Sequence, residues 1–213
     1  MIIRKRKRIS LLRDPINLRP EILTQSNIPK PLHGLNPRTI MGKEKWDRIR
    51  FKAQKKTDYH CIACGIHKTN AKYHPWLEGH ECWKMDYESG ICEVIEIVPL
   101  CHSCHQFIHS GMLHSTQHFG NVDEVKDILQ HGFDILSANK LDCFSGTFEL
   151  AKIYGVKTKG VRPAYINFNN SLLWDDFKLK WEGKIYNSLF NSYGEWENHY
   201  LLGGNVDIIK KEE

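Results

Sequence analysis

The sequence predicts an α+β fold in which a compact finger of hairpin and helix carries helical and small β extensions. Three observations carry that prediction. Cys61-Ile-Ala-Cys64 and Cys101-His-Ser-Cys104 form two matched Cys-x-x-Cys pairs separated by 36 residues. Between them, "WLEGHECW" and "GICEVIEIVPLC" read as two strands of a hairpin. On either side, apolar residues recur at the three- and four-residue spacing of helices that bury one face.

The chain has 213 residues, of which 41% are hydrophobic and 26% charged. That fits one compact domain, or one small domain with an elaborate extension. No stretch approaches the ~18 to 20 consecutive apolar residues of a membrane span, and "MIIRKRKRISLLRD" lacks the apolar run of a secretory signal. The expected location is therefore the cytoplasm, with no membrane partner. There, the seven cysteines read as thiols or metal ligands rather than disulfides.

Residues 1–40 contain Pro15, Pro20, Pro29, Pro31 and Pro37 with little periodicity, which predicts an extended arm. The arm is basic. Residues 1–60 hold 16 Lys/Arg against 5 Asp/Glu, whereas residues 61–213 hold 14 against 20. The run Arg4, Lys5, Arg6, Lys7, Arg8 suits phosphate neutralisation, so nucleic acid is the expected partner. Next, "GKEKWDRIRFKAQKKT" (42–57) sets Trp46, Ile49 and Ala53 at helical spacing among Lys45, Arg48 and Lys52. This predicts a basic amphipathic helix leading into Cys61.

A finger spanning 41–115 follows, and then an α+β extension, 116–213, that carries no motif and is the expected place for a protein partner or for substrate selection. Within it, "GNVDEVKDILQHGFD" predicts a helix capped by Asn121 and stopped at Gly132. "SGTFELAKIYG" predicts another. "FKLKWEGKIY" alternates around a Glu182-Gly183 turn as a hairpin does, and Tyr193, Trp196 and Tyr200 recur at helical spacing as core or interface.

Four thiolates from Cys61, Cys64, Cys101 and Cys104 suit a closed structural zinc site. A redox reading of one pair lacks the accompanying βαβ pattern. Cys82, Cys92 and Cys143 have no partner spacing and read as buried thiols. His105 and His109 stand four apart, so a helix places both imidazoles on one face as half of a second metal site. His102 falls on another face and reads as a surface residue. In the hairpin, Leu77 and Gly79 share one side and Glu78 and His80 the other, which brings His80 and Glu81 opposite His105 and His109.

"CIACG", "LEGHE" and "VPLCHSCHQFIH", spanning Cys61 to His109, together resemble the HNH endonucleases, the His-Me or ββα-metal finger, with added zinc knuckles. The resemblance covers about a quarter of the chain and implies a zinc-stapled ββα-metal finger that hydrolyses phosphodiester bonds with Mg2+ or another divalent cation. By position, His80 falls on the metal-binding member of the family's first pair, Glu81 on the general base, Glu96 on the Asn, and His105 and His109 on the final pair. Two expected residues are thus replaced by glutamates. In a second register His80 is the base, with Glu78, Glu81 or Glu96 helping to hold the metal. Double-stranded DNA is the expected substrate. The alternatives are an RNA-directed nuclease and a zinc-stabilised binding module on the same fold that no longer cleaves.

Overall fold

A computed structural model describes residues 16–113 and 121–202. The expected phosphate contacts Arg4, Lys5, Arg6, Lys7 and Arg8 lie outside the described residues. The fold is mixed α+β. After two short 3-10 turns, helix α1 spans Pro37–Lys56, strands β1 (Glu78–Met85) and β2 (Ile91–Leu100) form an antiparallel hairpin, and α2 (His102–Ile108) and α3 (Ser110–Leu113) follow. Then come α4 (Val122–Ala138), β3 (Cys143–Phe144), α5 (Ser145–Ile153), β4 (Pro163–Ala164), β5 (Lys178–Trp181), β6 (Lys184–Asn187) and α6 (Tyr193–Leu201).

Helix α1 starts earlier than the periodicity predicts. Asn36 caps it by accepting from the Thr39 amide, the Asn36 amide donates in turn to Thr39 Oγ1, and Pro37 supplies the preset first turn. The predicted boundary at Gly42 is instead an internal break, where φ is 78°. Trp46 is buried, while Lys45, Arg48 and Lys52 line the exposed face.

β1 and β2 belong to a four-stranded sheet of order β1-β2-β5-β6, in which β5 runs parallel to β2 and antiparallel to β6. The predicted C-terminal hairpin is therefore two strands of the same sheet as β1 and β2. Gly90, in the β1–β2 turn, makes this possible. Its φ is 77°, and a Cβ there would stand 3.1 Å from the Asp176 carbonyl oxygen, against which the turn packs.

The sheet separates two cores. On one face Val98, Leu100 and Cys82 pack with Phe107 of α2, with Val125, Ile128 and Phe133 of α4, and with Ile22 and Leu23 of the arm. On the other, Cys92, Val94, Leu179 and Trp181 pack with Leu32, Leu35 and α1 residues Ile40, Met41 and Ile49. A bulge lets β2 serve both. Cys82 pairs with Glu96 but Trp83 with Val94, so Ile95 is an extra residue, and the parity of β2 reverses across it.

The Gly132 stop predicted for α4 is not one, since the helix runs on to Ala138. A Cβ at Gly132 would lie 2.1 Å from the Phe107 ring, so the residue is a socket for that ring. Cys82, Cys92 and Cys143 are buried, and desolvation pushes each thiol up to about 12, as fits packing residues.

Candidate metal centre

The chain that positions the site is tied together before any side chain is considered. Ile62 donates to the Pro99 carbonyl at 3.0 Å and Arg19 to the Ile62 carbonyl at 2.8 Å, so the first cysteine turn lies between the arm and the end of β2. Cys61 and Cys64 flank this turn, which closes through Gly65 N–H to the Cys61 carbonyl at 2.9 Å. Cys101 is the residue before α2, and Cys104 stands within its first turn.

The sulfurs of Cys61, Cys64, Cys101 and Cys104 all lie within 4.8 Å of one another, and Cys64 and Cys101 are 3.7 Å apart. Tetrahedral zinc with bonds of about 2.3 Å places sulfurs about 3.8 Å apart, so the group fits that ion. Its acid–base balance says the same. Burial opposes a Cys61 thiolate, yet hydrogen bonds from Cys101, Cys104 and Cys64 hold its pKa well down, and Cys104 is pushed well up by Cys101, Cys61 and Cys64. Protons alone sustain few thiolates in such a group; a divalent cation sustains all four. His131 of α4, which sequence reasoning missed, lies with Nε2 3.4 Å from the Cys104 sulfur. It is an outer partner of the kind that steadies metal thiolates.

One turn along α2, His105 and His109 meet His80 of β1. Ring centroids are 5.4 Å apart for His80 and His105, 5.2 Å for His80 and His109, and 4.6 Å for His105 and His109. One nitrogen from each lies within 4.8 Å of the others. His80 is 0% exposed, and its Nδ1 is buried without a hydrogen-bond partner. Desolvation, with repulsion from His105, holds His80 well below the usual imidazole range and lowers His109 to about 3. Three converging imidazoles, with an orphaned nitrogen on His80 and His109 held neutral by burial, fit a divalent cation.

Gln25 of the arm fixes the strand beside this group. Its amide donates to the Glu81 carbonyl at 3.1 Å and accepts from the Trp83 N–H at 3.1 Å, imitating a further strand at the β1 edge. The amide nitrogen is also 3.2 Å from His80 Nε2.

The structure does not bring Glu81 and Glu96 into the histidine group. Glu81 follows His80 on β1, so strand alternation turns it to the α1 side with Gly79, whose missing Cβ would meet Arg50 and Trp46. Burial there raises its carboxyl pKa, against the pull of His105 and Arg38. Glu96 shares the face of Cys82 and is hydrogen-bonded to Arg19. The carboxylate that does reach the group is Glu78, with Oε2 2.6 Å from His105 Nδ1. His102, expected on the surface, is largely covered at 16% side-chain exposure and also contacts Glu78. On α1, Lys45 pairs with Glu182 and Arg48 with Glu44, both exposed, while Lys52 is exposed on the same helix.

Among the described residues no helix is long and apolar enough to cross a membrane. No protein-family model, no curated protein and no solved structure matches the chain.

Proposed function

We propose that the protein is a metal-dependent endonuclease of the HNH type, with β1, β2 and α2 as its ββα-metal finger, hydrolysing phosphodiester bonds in nucleic acid, with duplex DNA as substrate. The observation that carries this reading is the meeting of His80, His105 and His109 where β1 faces α2, on a helix whose start is set by the four-cysteine group. His80, wholly buried, suits a ligand rather than a base that must reach water. A divalent cation held by the three imidazoles would offset charge on the phosphorane and the departing 3′ oxygen. Three nitrogen donors suit zinc, nickel or a similar ion, whereas Mg2+ favours oxygen ligands, which revises the Mg2+ expected from the resemblance. Glu81 is the base in the family register although it stands on the α1 side of β1, and the exposed face of α1 would track the phosphates through Lys45, Arg48 and Lys52.

The placement of Glu81 on the α1 side of the strand favours a second reading, a zinc-stabilised module that binds nucleic acid without cutting it. One experiment separates the two. Supercoiled plasmid is incubated with the protein and Zn2+, Ni2+, Mn2+ or Mg2+, beside the His80→Ala variant. The nuclease reading expects nicked or linear plasmid from the parent and at least ~100-fold less from the variant. Retardation of the plasmid without cleavage under any of these cations selects the binding module.

A further inference from the structure

A separate cluster lies on the outer side of Glu78. His74 belongs to the irregular segment before β1, Glu78 opens β1, and His102 opens α2. His74 Nε2 is 3.1 Å from Glu78 Oε1 and 3.1 Å from His102 Nδ1, and His102 Nδ1 is 2.8 Å from the same Oε1. Ligand atoms about 2.0 to 2.1 Å from a tetrahedral zinc lie roughly 3.3 Å apart, so these three atoms approximate one face of such a tetrahedron.

The far side of each imidazole shows which nitrogen carries the hydrogen. His74 Nδ1 is 3.2 Å from the Trp76 carbonyl oxygen, which can only accept, so Nδ1 is the donor and Nε2 presents a lone pair to Glu78. His102 Nε2 lies 3.8 Å from the Glu124 carboxylate, beyond hydrogen-bond reach, while its Nδ1 is 2.8 Å from Glu78 Oε1, so a hydrogen on His102 Nδ1 is given to Glu78. The Glu78 carboxylate is itself an acceptor. His74 Nε2 and Glu78 Oε1, 3.1 Å apart, therefore face each other as acceptors. A single shared proton could bridge one edge of this triangle and would leave the third atom facing a lone pair. A cation in the centre satisfies all three.

We propose that His74, Glu78 and His102 form a third metal site for a zinc-like divalent cation, joined through Glu78 to the His80, His105 and His109 group. The support around it is of the kind metal ligands have. The His74 ring stacks on Trp76 with centroids 3.9 Å apart and planes 4° apart, and Tyr73 packs on His102 at 5.2 Å. Side-chain exposures of 14% for His74, 24% for Glu78 and 16% for His102 leave the fourth position open to a water or a substrate oxygen. Glu78 makes the two sites one unit. Its Oε1 faces the outer cluster while Oε2 lies 2.6 Å from His105 Nδ1. Filling the outer site fixes the carboxylate, and through it the orientation of an inner ligand. The outer site itself does not depend on nuclease activity.

The test uses the full chain and zinc alone. Zinc bound per chain is measured by elemental analysis across a buffered zinc titration for the parent, His74→Ala and His102→Ala. Each variant should saturate at one zinc fewer than the parent, while Co2+ substitution still gives the thiolate charge-transfer bands of the four-cysteine site. In the parent, 15N-resolved histidine spectra should show His74 Nε2 and His102 Nδ1 shifting on zinc addition, a readout that needs no variant to fold. Equal stoichiometry in parent and both variants, or unmoved His74 and His102 nitrogens at zinc saturation, overturns the proposal. Loss of plasmid cleavage has no bearing on either readout.

Discussion

At His80 a single side chain is constrained from every direction. Solvent does not reach it, the Gln25 amide lies against Nε2, and two further imidazoles stand across from it. The fold therefore holds His80 and His109 neutral, whereas in the unfolded chain each protonates near its ordinary pKa of about 6.5. Between that value and the folded value of about 3 for His109, the unfolded chain binds more protons, so stability falls as pH drops through the window. The loss is up to about 1.4 kcal/mol per pH unit for each such histidine. Urea unfolding at pH 7 and pH 5 should show the parent losing up to about 2 kcal/mol more than His109→Leu, because titration from 6.5 to 5 covers about 1.5 units. An identical pH response in the two proteins would mean that His109 is protonated or solvated in the fold.

Among the elements, α2 and α4 show where packing overrides a sequence rule. Glycine three-quarters along a periodic stretch reads as a helix end, yet Gly132 is helical and receives the Phe107 ring. Gly132→Ala sets two effects against each other. Alanine gains about 1 kcal/mol of helix propensity, and a methyl 2.1 Å from ring carbons forces repacking that costs about 1 to 3 kcal/mol or more. The clash wins, so the variant should unfold at lower urea, and a stabilised Gly132→Ala would refute the socket. What the sequence made legible were features with a short-range cause: the paired cysteines, the hairpin, the His105 and His109 spacing, and the Asn121 cap. The start of α1 was legible too, from Asn36, Pro37 and Thr39, but the basic periodicity beginning at Gly42 drew the boundary inward. The Ile95 bulge was not legible, because period-two alternation carries no mark of an inserted residue. Nor was the trio of Glu78, His74 and His102, whose members come from three elements and meet only after the hairpin closes on α2.

For the whole molecule, the extension 116–213 contributes α4 to one core and β5 and β6 to the sheet, so the boundary drawn at 115 cuts through packed structure. The exposed basic face of α1 and the histidine groups lie on opposite sides of that sheet's first strand, a division the charge count of the chain could not express. A chain ending at Leu113 should lose the β5 partner of β2 and the Leu179 and Trp181 cover over Cys92 and Val94. It is expected to elute as aggregate in size-exclusion chromatography, and a soluble monomer with intact secondary structure would show the finger to be independent.

The parallel pairing of β2 with β5 also dictates the order in which the protein can assemble. Ile91 meets Lys178, 87 positions further along, and closing a loop of that length costs about 4 kcal/mol of chain entropy beyond a constant term. The β1–β2 hairpin closes over a handful of residues and can wait, fully formed, for its neighbour. During synthesis, then, the cysteine and histidine ligands are all emerged and able to take up metal long before Lys178 leaves the ribosome, while the inner edge of β2 stays unpaired. Early metal capture would hold the hairpin and α2 in register through that interval, so a bound ion would act as a temporal scaffold for a sheet that residues near position 187 complete.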